Sequence, residues 1–400
     1  MASRRALAVA LTATMIITAC SGPPEIRSDR TTFPADPNES VAVAIFLSNR
    51  GPDEQIGRSA IVFVAPDGTE TLVETDKTTN GNLAFNAKGA LFIPTAKRTY
   101  LLDSGKRRVW KHPERYGSAW AGPVGPDAFA AAFDPGTSRT DAATELWITN
   151  GSSTRARSAS IYPDSKGSDS QRVYVRGDGI DFANQRLVGV TLRGREDRVF
   201  RWKTWGHARS WESPIKGDIF RSGHHLYFLE DVTKVKGERT VTYDGVHRSQ
   251  TRVGSIDLRT GRYRSLLAVE NTNEDRITKP DGVGLSPLAQ SSVDGALLDG
   301  RLYWVGADAR VISASVRTGE ARVACTLDPA LRAASEVVAS WSPNRLDLLV
   351  TTQDATTLHR IDLRTCQDDH LDLPKTHAVV ANEGWLVASS LARNPRAPRD

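Results

Sequence analysis

With three cysteines in 400 residues, this chain is no disulfide-dense scaffold. Its longest apolar run, 6–17, is about twelve residues, short of the roughly 20 needed to cross a bilayer. The signatures of several enzyme classes are missing. There is no Gly-x-Ser-x-Gly elbow, no His-Glu-x-x-His, no phosphate-binding P-loop and no Gly-x-Gly-x-x-Gly fingerprint, and Gly177-Asp-Gly179 alone does not make one. A dominant charge is missing too, since 52 Lys+Arg stand against 47 Asp+Glu. That balance argues against a nucleic-acid partner. The densest basic clusters, 106–108 and 234–239, are short. They read as solvated hairpin tips, with weak attraction to anionic lipid headgroups as the alternative. Sustained helical periodicity is absent; Asp328-Pro329 caps one short helix through Ala334.

What is present begins at the N-terminus. Arg4 and Arg5 precede the apolar run, which ends in Ile17-Thr18-Ala19-Cys20 followed by Ser21-Gly22. The pattern resembles a bacterial lipoprotein export signal with its lipobox. That resemblance implies cleavage before Cys20, acylation of the Cys20 thiol, and a protein held outside the cytoplasm on membrane lipid. A diacylglyceryl cysteine supplies the two chains that stable anchoring takes. The next segment, through Ser40, is rich in Pro, Ser, Thr, Asp and Arg and reads as a tether with a span of about 25 Å. Four parts result: a signal peptide 1–19, a lipidated cysteine and tether 20–40, one domain 41–392 and a loose tail 393–400. Arginine outnumbers lysine 40 to 12, which suggests a GC-rich genome and an actinobacterium.

With Cys20 acylated, Cys325 and Cys366 remain as a pair. In an oxidising compartment they form a disulfide worth roughly 4 kcal/mol; the other reading is two buried thiols.

The remainder is short alternating runs between Gly, Pro, Asn and Asp turns, the mark of an all-β sandwich, barrel or propeller. One unit recurs: an apolar strand, a tight polar turn, then a strand rich in charge. Its clearest copies start at Ile256-Asp-Leu-Arg-Thr-Gly261, Ala314-Ser-Val-Arg-Thr-Gly319 and Ile361-Asp-Leu-Arg-Thr-Cys366. Turns at 68, 105, 167, 206, 261, 319 and 366 are spaced by about 50 residues, the length of a four-stranded propeller blade. A β-propeller of about seven blades follows, with six or eight as alternatives. Strands near 377–380 and 385–387 have no outer pair, and the outer pair near 61–73 has uncertain inner strands. Terminal strands therefore close the ring. Gly81-Asn-Leu-Ala-Phe-Asn-Ala-Lys-Gly-Ala-Leu-Phe92 and Lys279-Pro-Asp-Gly-Val-Gly-Leu-Ser-Pro287 resemble inner-blade motifs of NHL-repeat and gluconolactonase-like propellers.

Aligned units place Asn82, Asp127, Asp178, Asp218 and Asp281 at the entrance to innermost strands, where they would ring one mouth of the axial channel. Such a ring could coordinate Ca²⁺ through six to eight oxygens or hold a polar ligand. The plainer reading is that each folds back on its own backbone as an Asx-turn. Gluconolactonase-like enzymes hold a divalent metal with acidic and Asn ligands, but their full ligand set is not recognisable here. His224-His225 lacks a third ligand at useful spacing. Trp202, Trp205 and Trp211, set among Arg201, Lys203 and Arg209, suit either a carbohydrate or peptide surface or core packing. Loops 111–127, 134–144 and 231–252 are long for hairpins. The expectation is a membrane-anchored binding or scaffold propeller with an envelope protein or glycan partner. The alternatives are a metal-dependent hydrolase or lactonase, and a lipoprotein that captures solute or glycan.

Overall fold

The computed structural model describes residues 33–34, 36–49, 58–79, 81–112, 118–124, 126–134, 144–150, 152, 154–159, 161–168, 172–179, 185–191, 196–202, 215–233, 235–236, 239–240, 242–243, 246–247, 249–270, 291–292, 295–306, 309–383 and 386–397. Short strands joined by tight turns build five four-stranded and two five-stranded sheets, with two two-stranded ribbons beside them.

Sheet I takes its first strand, Leu386–Arg393, from the C-terminus and continues with Val43–Asn49, Ser59–Val64 and Glu70–Thr75. Sheet II is Ala84–Phe85, Leu91–Pro94, Arg98–Asp103 and Lys106–Lys111. Sheet III is Ser118–Val124, Ala128–Asp134, Thr144–Thr149 and Thr154–Ala159. Sheet IV is Ile161–Ser168, Arg172–Gly179, Gln185–Thr191 and Glu196–Trp202, and sheet V is Ile215–Ser222, His225–Thr233, Ser249–Asp257 and Tyr263–Leu267. Sheet VI is Ala296–Leu298, Arg301–Val305, Arg310–Ser315 and Glu320–Thr326, with Val269–Glu270 added parallel to its last strand. Sheet VII is Glu336–Ser342, Arg345–Thr351, Thr356–Asp362 and Asp368–Asp372, with Ser291–Ser292 parallel to its first strand.

First strands of consecutive sheets are neighbours from VII to I and on through VI. Sheets VI and VII are joined by an apolar cluster of Val305, Val311, Leu346 and Leu348. The result is a β-propeller whose ring closes between the two chain ends. Period-two alternation explains the packing. In Val43–Asn49, Val43, Ile45 and Leu47 pack toward sheet VII against Val338, Leu349 and Leu358. Ala44 and Phe46 pack the other way, against Leu83, Leu91 and Ile93 of sheet II. A strand buried on both faces reads as a continuous apolar run, as this one does. Outermost strands such as Lys106–Lys111 and Asp368–Asp372 are largely exposed and charged, which suits an edge.

The recurring turn has a common cause. Gly261, Gly319 and Cys366 donate their amides to Asp257 O, Ser315 O and Asp362 O at 2.7, 2.8 and 2.7 Å. All three turn residues are left-handed, at φ 72°, 79° and 59°. Glycine adopts that region without cost, and Cys366 holds it as an L side chain. Asp257 Oδ1 caps the Arg259 amide, and Asp362 Oδ1 caps those of Arg364 and Thr365.

Several expectations are corrected. Residues 377–380 are not a strand but lie in the helix Pro374–Glu383. Pro374 starts it, the Glu70 carboxylate accepts its first amides, and Leu373, Thr376 and Val379 are buried at helical spacing. Closure therefore uses one C-terminal strand. Gly167 is not a turn but pairs with Tyr174 inside sheet IV; Gly206 lies outside the described residues. Within 111–127, Ser118–Val124 is a strand that its Gly and Pro disguise. Within 231–252 the hairpin of sheet V extends, and the ribbons Val235–Lys236/Arg239–Thr240 and Thr242–Tyr243/Val246–His247 follow. The short helix is borne out as Pro329–Ala333, with Asp328 Oδ1 accepting from the Ala330 amide at 2.8 Å.

Ordered packing exceeds the compositional bounds at both ends. The Phe33 ring lies 6.1 Å from Phe63 and 4.9 Å from Tyr100. Asn394 is buried, and its amide donates to Pro37 O and Val41 O.

Candidate functional site

Strand order decides which sequence candidates can meet. Asn82 precedes the first strand of sheet II, the position expected. Asp127 instead lies in the turn between the first and second strands of sheet III, because Ser118–Val124 is the true first strand. Asp178 is near the end of the second strand of sheet IV, paired with Tyr162 and Gln185. Asp218 lies within the first strand of sheet V. Asp281 and Cys20 fall outside the described residues. Asn82 and Asp127 thus lie at opposite ends of first strands. Among the described residues, no group of three or more His, Cys, Asp or Glu side chains converges as metal ligands.

Each candidate with a described side chain has a local partner. Asp127 pairs with Lys88 Nζ at 2.5 Å, both side chains more than half exposed, which limits the pair to under about 1 kcal/mol. Asn82 Oδ1 accepts from Ser390 Oγ at 3.2 Å, and Ser390 Oγ in turn accepts from the Leu83 amide at 3.3 Å. Next to it, the pairing of Leu386–Arg393 with Val43–Asn49 shifts register between Phe46 and Leu47, which leaves Ser389 as a bulge. The Ser389 hydroxyl donates to Gly81 O at 2.6 Å, while the Gly81 amide donates to Ser48 Oγ at 2.7 Å. Gly81 has a steric reason to be glycine. A Cβ there would come within 2.1 Å of the buried Phe46 ring.

The closure carries three more polar groups that no local motif announces. Buried Glu70 accepts from the Lys375 and Thr376 amides at 2.9 and 2.8 Å and from the Thr376 hydroxyl. Buried Glu336 accepts from the Ala388 amide at 2.7 Å. Buried Asp347 accepts from Arg345 Nε at 3.0 Å and from an Arg393 terminal nitrogen at 3.5 Å. Burial draws the Arg393 guanidinium below its usual value, while Asp347 pulls it back up. For Glu336 and Asp347 the signal is a charged residue at a strand position that the neighbouring apolar residues assign to the interior; Glu70, beside a turn, carries none.

Cys325 and Cys366 form the disulfide, with Cα atoms 5.5 Å apart, tying the last full strand of sheet VI to the outer turn of sheet VII. His224 and His225 sit exposed in the first hairpin of sheet V, with the His225 ring 5.9 Å from Tyr227. Trp202 is on the outermost strand of sheet IV; Trp205 and Trp211 lie outside the described residues. No sequence motif marks His112. Its Nε2 lies 2.9 Å from Thr99 Oγ1 and its ring packs on Phe133 and Trp147, and desolvation lowers its pKa.

No protein-family model and no curated protein matches the chain. Among solved structures, a chimera of ACO with RPE65 is similar over 90% of this chain and 93% of that one, at 8% identity and a TM-score of 0.50. Cobalt-substituted ACO from Synechocystis is similar over 84% and 90%, at 8% identity and a TM-score of 0.48. Apo AztD from Citrobacter koseri is similar over 84% and 95%, at 10% identity and a TM-score of 0.41. At such identities the likeness concerns the fold alone.

Proposed function

We propose that this protein is an extracytoplasmic lipoprotein, anchored through Cys20, whose propeller serves the cell envelope as a non-catalytic binding or scaffold module. The observation that carries the reading is the Cys325–Cys366 disulfide. It fits an oxidising compartment and leaves Cys20, at the end of the export-signal pattern, as the one cysteine for another use. The binding role is supported by how the candidate polar groups are engaged. Asn82 is held by Ser390 at the ring closure, and Asp127 is an exposed turn residue paired with Lys88.

The test is capture from the envelope. A reproducible protein or glycan partner should co-purify with the lipidated chain. It should stay bound when Asp127, Asp178, Asp218 and Asp281 are replaced together by Asn. Stoichiometric Ca²⁺ in the purified protein, with a hydrolytic activity lost in that variant, would overturn this reading in favour of a metal-dependent hydrolase.

A further inference from the structure

One flank of sheet II combines positive charge, an exposed apolar side chain and the point where the N-terminal segment reaches the domain. In the outermost pair of strands, Arg98 faces Lys111, Tyr100 faces Val109 and Leu102 faces Arg107. Cross-strand partners share a face. Phe33, 4.9 Å from Tyr100, therefore packs on the same face as Arg98, Arg107, Val109 and Lys111. Val109 is 44% exposed, the one large apolar side chain so exposed among the described residues. Among those residues, Arg107 and Lys111 have no carboxylate partner. Acidic groups near this flank include Asp76, whose field acts on Arg98, and Asp36 and Glu39 at the helix Pro37–Ser40, which packs on Arg98–Asp103.

Edge protection alone does not account for the pattern. Any charge blunts an edge, and the outermost strand of sheet VII uses Asp368, Asp369 and Asp372. Sheet II uses the opposite sign and leaves an apolar group among its cations.

We propose that this flank, with Arg98, Arg107, Val109 and Lys111 at its centre, docks on the anionic headgroups of the membrane that holds the chain. The proposal rests on the lipid-anchor reading of Cys20. About a dozen residues separate Cys20 from Phe33, so covalent geometry keeps Phe33 within roughly 45 Å of the lipid by any path. The basic flank is thus the part of the propeller tied nearest to the bilayer. Lysine and arginine near an anionic surface are attracted over about a Debye length, and Val109 can enter the headgroup layer between them. Docking would fix which face of the ring points away from the membrane.

A single thiol reports on this. With Cys20 acylated and Cys325 bonded to Cys366, a Val109→Cys variant carries one free thiol, for a nitrobenzoxadiazole label. The full chain is reconstituted in vesicles of phosphatidylglycerol or of phosphatidylcholine, and quenching by brominated lipid is read. Quenching is expected in phosphatidylglycerol alone, fading as salt rises. In a chain that also carries Arg107→Glu and Lys111→Glu, a change of four charge units, surface partitioning weaker by on the order of a thousandfold should abolish it. These positions are exposed, and an unchanged melting temperature verifies the fold of each variant. A label that stays in water on phosphatidylglycerol overturns the proposal, as does one shielded only by added polyglutamate. Fatty-acid labelling of Cys20 reads the anchor separately. If Cys20 takes none, a Cys20→Ser chain labelled at position 109 and added from solution still shows whether the flank binds the vesicles.

Discussion

The joint between sheets VI and VII and the joint between sheets VII and I both bury an apolar cluster, yet they are fastened by different chemistry. At the first, Cys325–Cys366 is a covalent tie on the outer side. At the second, buried carboxylates accept directional bonds: Glu336 from the Ala388 amide, and Glu70 from the amides at the start of the helix Pro374–Glu383. Chain connectivity explains the difference. Sheets VI and VII follow one another, so their strands arrive in register and need only to be held. Sheet I is assembled from both chain ends. A one-residue slip of Leu386–Arg393 on Val43–Asn49 would turn every side chain to the wrong face. Carboxylates aimed at particular amides, and the Ser389 bulge, penalise that slip in a way apolar packing cannot.

Removing the closure should have the largest effect. A chain ending after Glu383 leaves the apolar faces of sheets VII and I open, and cooperative urea unfolding should be lost. Cys325→Ala should keep cooperativity but lower stability by about 4 kcal/mol in the same assay. Glu336→Ala and Glu70→Ala should each cost about 2–3 kcal/mol, since a buried amide loses a charged acceptor. If both proved neutral, the closure would be held by packing alone. A finer contrast lies at position 366. Neither Cys366→Ala nor Cys366→Gly can bridge, but Gly should be about 1 kcal/mol more stable, because φ is 59° there.

The smallest effect is on pH. The amides of Thr365 and Arg364, donating to Asp362, hold its carboxyl below the usual range. A depressed folded pKa stabilises above the unfolded value near 4, and that stabilisation is lost as pH falls through the lower folded one. The melting-temperature gap between wild type and Asp362→Asn should therefore be wider at pH 7 than at pH 2.

What was legible in the sequence follows range. The turn at Asp257-Leu-Arg-Thr-Gly261 is written in five residues that bond one another, so it and its copies could be read directly. The cysteine pair was legible because three cysteines leave few pairings. Glu70 was not, because its partners are 305 and 306 residues away and a glutamate beside a turn looks like any surface acid. The run His377-Ala-Val-Val380 has strand composition, and only the cap from Glu70 and the buried side of Thr376 and Val379 make it helical. The acidic ring was misaligned because Ser118–Val124 hides a first strand behind Gly122 and Pro123, which moved Asp127 one strand along.

The most direct test of the account is metabolic labelling with a radioactive fatty acid. Wild-type protein should take up the label and fractionate with membranes, while Cys20→Ala should take up none and leave the membrane fraction. A Cys20→Ala chain that labels and sediments as wild type does would contradict the anchored-propeller reading.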